Sequence, residues 1–378
     1  AEWRHDIHQH PEILFETHRT SALVKEKPKE FGCDEVIEGV GKTGVVGVIN
    51  GQTNQSGKVI GLRADMDALP ISETNEFSHK SKNPGKMHAC GHDGHTVMLL
   101  AAAKYLAESR SFSGQVNFIF QPAEEGLGGA KAMIDDGLFD KFPCDRVYAM
   151  HNGPGIAVGK FASVPGIRTA AGAFFDIKVI GKGGHGAFPQ FAIDPITIAA
   201  EIIGAIQTII SRTTSPNDSA VLSITKVHAG DAYNVIPESA MLSGTVRTFA
   251  IDKMQEIERQ MISISEGISK AHGGTALVEF NTLFLPVLNE EEATDLATEV
   301  CRDMVGQDNV TTTGSAGTGS EDFSFMSNEV PGCYVIIGNG EDSNALHNPN
   351  FDFNDKALVY GGSFFARVIE KELALDEV

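Results

Sequence analysis

Short apolar runs alternate with longer amphipathic stretches along this chain, and the alternation has two textures. Residues 1–31 read as helical: Trp3–His10 runs into Pro11, and a second helical stretch follows from about Glu16 to Glu30. His5, His8 and His10 read as a polar helix end rather than a metal site, because no strand aims them. A short strand pair is expected near Glu35–Ile37 and Thr43–Ile49, with Gly51 as its turn. Lys58–Arg63, Gln115–Phe120 and Arg146–Met150 then read as buried strands, separated by helical segments from about Thr96 to Glu108 and from Gly129 to Asp136. Strands alternating with helices predict a mostly parallel sheet with helices on both faces.

From about Ala173 the texture changes. Phe174–Ile180 alternates as a half-buried strand does, and a helix is expected from about Pro195 to Ser211. Two strands, Ala220–Val227 and Ser239–Arg247, precede a helix from roughly Asp252 to His272 and a strand from Thr275 to Phe280. That order, β-α-β-β-α-β, is the ferredoxin-like unit. After Pro286 the first texture resumes, with a helix from about Glu290 to Val305, a Gly/Thr/Ser loop from Thr311 to Ser320, a buried strand Cys333–Gly338 and a last helix from about Asp355. The expected fold is α/β: a discontinuous three-layer domain, mostly parallel in its sheet, from residues 1–169 and 285–378, with an inserted α+β ferredoxin-like domain at 170–284.

Composition narrows the partners. A length of 378 residues favours two domains over one core. Fifty acidic against thirty basic residues leave a formal charge of -20, which argues against nucleic acid and anionic membranes. No apolar run is read as a membrane helix, and no charged-then-apolar signal segment opens the chain. A few residues are expected to precede Ala1. Five scattered cysteines make no disulfide framework, so a reducing cytoplasm is the simpler expectation.

The chemistry gathers at the strand ends, where ligands sit in open α/β sheets. The richest stretch is Met87–Thr96, with one thiol, three imidazoles, a carboxylate and two glycines in ten residues. It reads as a loop that holds metal and opens a helix near Thr96. Cys90-Gly91-His92 places a thiolate and an imidazole within reach of one ion; a buried cysteine beside a surface histidine is the plainer alternative. Glu124-Glu125 follows another strand. Adjacent side chains on extended backbone diverge, so one carboxylate can bind metal while the other serves as general base; a solvated acidic turn is the alternative. His151 offers an imidazole from a third strand and His347 one from the far end of the chain, while Asp65 and Asp67 sit where carboxylates orient imidazoles. Cys90, His92, Glu125, His151 and His347 are too many ligands for one tetrahedral ion, and two ions sharing a water fit better. His185, on a Gly-Gly-His-Gly turn, suits a donor to a developing oxyanion or is a polar turn histidine.

Several motifs occur in order: Arg63-Ala64-Asp65-Met66-Asp67-Ala68-Leu69-Pro70, Met87–Thr96, Gln121-Pro122-Ala123-Glu124-Glu125-Gly126, Gly183-Gly184-His185-Gly186-Ala187, Gly244-Thr245-Val246-Arg247-Thr248-Phe249, Gly319-Ser320-Glu321-Asp322-Phe323 and Leu346-His347-Asn348-Pro349. Together they closely resemble the hippurate hydrolase and N-acyl-amino-acid amidohydrolase branch of the aminoacylase/carboxypeptidase G group of two-metal peptidases. The resemblance covers nearly the whole chain. It implies a di-metal amidase that cleaves the acyl group from a small N-acyl amino acid, with Cys90, His92, Glu125, His151 and His347 as metal ligands. Glu124 would be the base and later the acid, and Asp67 the orienting carboxylate. His185 would reach the other subunit's site, making the inserted domain a dimerisation domain and the enzyme a homodimer or dimer-based oligomer. Asn234 and Arg247 match positions expected to meet the substrate amide and carboxylate. Asp65-Met66-Asp67 stands where the broader group commonly has His-x-Asp, which disfavours aminopeptidase and dipeptidase readings. Thiolate favours zinc, while imidazole and carboxylate also suit manganese, cobalt or nickel. The competing readings are an exopeptidase on short peptides, a deacetylase of an intermediate such as N-acetyl-diaminopimelate, and a metal-storing or ligand-binding protein without catalysis.

Overall fold

The three apolar runs around positions 60, 118 and 150 become neighbours in the computed structural model, which describes residues 1–126 and 128–375. Strand Val59–Asp65 lies between Gln115–Gln121 and Arg146–Pro154 and is parallel to both. Gly332–Gly340 adds a further parallel strand beside Arg146–Pro154. The full sheet has eight strands, completed by the hairpin Glu35–Val40/Gly44–Asn50 at one edge and the short strands Phe161–Ala162 and Val310–Thr311 at the other. It is mixed, with four of its seven strand pairings parallel and three antiparallel. The hairpin is antiparallel within itself, because a tight turn can only reverse the chain, and its second strand also runs antiparallel to Gln115–Gln121. That turn falls at Gly41–Thr43, with Gly41 and Lys42 at positive φ, and not at Gly51 as expected.

These strands are buried on both faces, which explains their near-continuous apolar composition. Phe118 and Phe120 join Met98, Leu99, Phe364 and Phe365 in one core; Ile119, between them, faces Met133, Phe323 and Met326 in another. Helices His18–Phe31, His92–Ser109, Glu291–Val305 and Ala357–Glu372 thus cover one face, and Gly129–Asp135 and Phe323–Glu329 the other. Helix Ala357–Glu372 approaches His92–Ser109 so closely that a Cβ on Gly361 would lie 1.9 Å from Met98 Sδ.

The chain divides into two compact units: Ala1–Arg168, Val287–Ser315 and Asp322 onward form the first, Thr169–Pro286 and Ala316–Glu321 the second. In the second, four strands lie in the order Ala220–Ala229, Ser239–Thr248, Ala171–Ile180, Thr275–Phe284, every neighbour antiparallel. Helices Pro195–Thr208 and Ile251–Ala271 close its core through Ile198, Ile202, Ile206, Met254, Ile257 and Met261. The span Pro195–Thr213 reaches 19 residues at a mean hydropathy of 1.2, so an apolar run of membrane-helix length does exist among the described residues. It is amphipathic in use, burying Pro195, Ile198, Ala199, Ile202 and Ile206 under the sheet.

Candidate metal centre

The chemically distinctive side chains arrive from four separate segments of the first unit. His92 stands on the first turn of helix His92–Ser109, which begins four residues earlier than Thr96, because Gly91 at φ 93 makes the entry turn. Cys90 precedes that turn. Glu124 and Glu125 follow strand Gln115–Gln121, after Ala123 at φ 53. His151 lies inside strand Arg146–Pro154 rather than past its end, and His347 follows Gly332–Gly340, its N–H bonded to Ala89 O at 2.8 Å.

The structure brings all of these side chains together. Cys90 Sγ is 3.3 Å from His151 Nε2, and His347 Nε2 is 3.4 Å from Glu125 Oε1. His92 Nε2 lies 3.9 Å from Glu125 Oε1 and 4.0 Å from Glu124 Oε2. The donor atoms form overlapping trios: Cys90, His92 and His151; Cys90, Glu125 and His347; His92, Glu124 and Glu125. Cys90, His92 and Glu125 each belong to two of them, so the trios merge into one donor cluster. Asp65, His92 and His95 are equally close, but both ring nitrogens of His95 are already hydrogen-bonded.

Asp67 organises the acidic turn. Its Oδ1 accepts the Glu124 N–H at 2.9 Å and its Oδ2 the Glu125 N–H at 3.2 Å, while Oδ1 also lies 3.5 Å from His92 Nδ1. Behind it, the buried Arg63 guanidinium binds Asp65 at 2.9 Å, Gln121 at 2.8 Å and Asp322 at 3.0 Å. Asp65 in turn accepts from His95 Nδ1 at 2.7 Å.

The electrostatics are those of a cation site. Burial opposes a charged imidazole, yet Asp65, Asp67 and Glu125 push His92 up to about 10. Burial, then the charges of Glu125 and Glu124, drives the Cys90 thiol well above its ordinary range. Burial and then His95 push His151 well below the usual imidazole value, leaving it neutral. Both ring nitrogens of His92 and Oε1 of Glu125 are buried without a hydrogen-bond partner among the described residues. Such orphans are costly; a bound cation would satisfy one His92 ring nitrogen and the Glu125 oxygen, leaving His92 Nδ1–H facing Asp67 Oδ1 at 3.5 Å. The donor set of thiol, imidazoles and carboxylates therefore fits divalent metal.

Three of the sequence-selected residues belong to the second unit. His185 pairs with Val235 across a two-residue ladder, and Asn234 O accepts the Gly186 N–H at 2.8 Å, so His185 and Asn234 are neighbours. His185 Nδ1 accepts the Ala187 N–H at 3.1 Å, which leaves Nε2 as the donor of the neutral ring. Arg247, on strand Ser239–Thr248, bonds the Thr245 hydroxyl and Val246 O. Sequence reasoning passed over Arg63, Asp322 and Asn152. The Gly-Ser-Glu-Asp motif was the available signal for Asp322; Asn152 gave none beyond its place after His151.

Hippurate hydrolase of Campylobacter jejuni is 45% identical over 370 residues, covering 98% of this chain and 95% of that one. N-acyl-L-amino acid amidohydrolase of Geobacillus stearothermophilus is 43% identical over 292 residues, 77% of this chain and 78% of that one. A Bacillus subtilis protein described as a dinuclear metal binding peptidase superposes with a TM-score of 0.84 at 33% identity, covering 98% and 97% of the two chains. Residues 61–371 match peptidase family M20/M25/M40, and the chain belongs to that family.

Proposed function

We propose that this protein hydrolyses the amide bond of N-acyl amino acids, releasing a carboxylate and the free amino acid, with two divalent ions held by Cys90, His92, Glu125, His151 and His347. The observation that carries the reading is the Glu124-Glu125 turn, gripped at both N–H groups by Asp67 and set against the Cys90–His151 and Glu125–His347 pairs. Hippurate and other N-acyl amino acids are the substrates named for the two relatives.

Divalent ions, when bound, polarise the acyl carbonyl and make water acidic enough to lose a proton near neutral pH. Glu124 takes that proton as the water oxygen bonds to the acyl carbon. It returns the proton to the nitrogen as the C–N bond breaks, so one carboxylate serves both halves of the reaction. Asp67, by holding the Glu124 N–H, keeps that carboxylate next to Glu125 while the latter points at His347 and His92. His185 Nε2–H suits donation to the developing oxyanion of a second subunit, with Asn234 beside it and Arg247 for the substrate carboxylate. The second unit is then the dimerisation domain. The five cysteines pair into no disulfide among the described residues, in keeping with the proposed cytoplasmic setting.

Glu124→Gln is expected to lower turnover of hippurate by about 10²- to 10⁴-fold while elemental analysis finds metal content unchanged. Turnover equal to the parent removes Glu124 from the mechanism. The same assay run across N-acetyl amino acids, dipeptides and N-acetyl-diaminopimelate separates the amidohydrolase from an exopeptidase or a biosynthetic deacetylase.

A further inference from the structure

The two donors closest together in the site, Cys90 Sγ and His151 Nε2, come from segments with no shared ladder, so something other than the sheet must set their spacing. Asn152 touches both. Its carbonyl accepts from His151 Nδ1–H at 2.7 Å, which fixes the tautomer and leaves Nε2 bare toward Cys90. Its side-chain Nδ2 donates to Cys90 O at 2.6 Å and lies 3.1 Å from His95 Nε2. Its backbone N–H donates to the same His95 Nε2 at 3.0 Å.

A backbone N–H can only donate, so His95 Nε2 carries the lone pair and Nδ1 the proton. That proton goes to Asp65 Oδ1 at 2.7 Å. The chain Cys90–Asn152–His95–Asp65 therefore crosses from the metal loop over two strand ends and through the first turn of the helix that carries His92. It lies wholly in the interior: Asn152 and His95 are each 1% exposed, and Asp65 is fully buried. The fit leaves no slack, since a Cβ on Gly91 would stand 2.3 Å from Asn152 Nδ2. Asn152 Oδ1 has no partner among the described residues. The amide thus uses its donors while its acceptor stays without a partner, an imbalance that a group serving only to fill a polar pocket would avoid.

We propose that Asn152 is a positioning residue for the metal centre, whose amide and backbone clamp the Cys90 loop to the strand bearing His151 and so set the spacing of the thiolate and imidazole donors. The inference rests on Cys90 and His151 being ligands. Cys90 falls in two of the donor trios and His151 in one, so displacing the Cys90 loop would disturb more of the donor cluster than moving His151 alone.

The test uses cobalt(II)-substituted enzyme. Asn152→Ala and the isosteric Asn152→Asp, which keeps the backbone contacts and loses both amide donors, are expected to weaken cobalt binding by about 10- to 100-fold. Both should also shift or weaken the thiolate-to-cobalt charge-transfer band. A lowered melting temperature with cobalt affinity and spectrum as in the parent assigns Asn152 a purely structural role and overturns the proposal. A parent enzyme that binds cobalt without any thiolate band overturns the ligand assignment of Cys90 itself, and the clamp with it. Should either variant fail to fold, nitrogen-15 spectra of the parent holoenzyme decide. Slow exchange of the Asn152 side-chain amide protons, with an Nδ1-protonated His95, supports the clamp, and solvent-rate exchange refutes it.

Discussion

Cys90 shows how one side chain changes character with its occupant. Without a cation, burial and two flanking carboxylates hold its thiol protonated. A metal ligand must be the thiolate, so loading the site should release that proton. Calorimetric titration of the apo-protein with zinc, repeated in buffers of different ionisation enthalpy, is expected to report net proton release that Cys90→Ala lowers by the thiol's share, leaving the proton from His92. Elemental analysis should also find fewer ions per chain in Cys90→Ala; two ions per chain in that variant would remove Cys90 from the ligand set. His92 is likewise protonated without metal, held so by Asp65, Asp67 and Glu125 until a cation replaces its proton. The site thus exchanges protons for metal at both residues, which is why neither is read from its apo charge alone.

At the scale of elements, helix Glu2–Gln9 is tied to the start of helix His92–Ser109 by buried charge. His8 Nδ1 meets Asp93 Oδ2 at 2.8 Å and His8 Nε2 meets Glu73 Oε1 at 3.2 Å, while Arg4 reaches Asp352 and Asp355 at 2.7 Å. Burial opposes the His8 charge, but the Asp93 and Glu73 bonds outweigh it and raise its pKa to about 9. Since the folded value exceeds the unfolded 6.5, the pairing stabilises fully below about pH 6.5 and fades as pH rises through about 9, a loss of about 3 kcal/mol. Urea midpoints measured from pH 6.5 to 9.5 should fall more steeply for the parent than for His8→Gln; equal slopes would refute the pairing. The amphipathic pattern showed this first helix but not its role, because His8 meets partners 65 and 85 residues away and a polar helix end looks the same locally. Strands announced by solid apolar runs, such as Gln115–Gln121, were legible, and so were the residues at their ends. Helix starts and turns set by one glycine's backbone, as at Gly91 and Gly41, were not. The assembly of Cys90, His92, Glu125, His151 and His347 could be anticipated from strand ends and motif. The Asn152 and Arg63 contacts that orient it depend on side-chain geometry that no spacing rule carries.

At the scale of the whole molecule, the second unit presents apolar surface that its own core does not use. One of the two edge strands of its four-stranded sheet, Ala220–Ala229, carries Val221 and Val227, each about half exposed. Such an edge invites pairing with another copy unless it is blocked. If a second copy pairs there and lends His185 to its partner's site, the protein should sediment at twice the 40.4 kDa chain mass. The decisive measurement mixes two variants, His185→Ala and Glu124→Gln, each expected to be nearly inactive. In a mixed dimer, the subunit with intact Glu124 would receive an intact His185 from its neighbour. Random exchange makes half the dimers mixed and restores one site in each, so activity should recover to about one quarter of the parent's. A His185 acting within its own subunit would give no recovery, because every site would still lack one of the two residues. Recovery without a sedimenting dimer cannot arise, so the two measurements check each other.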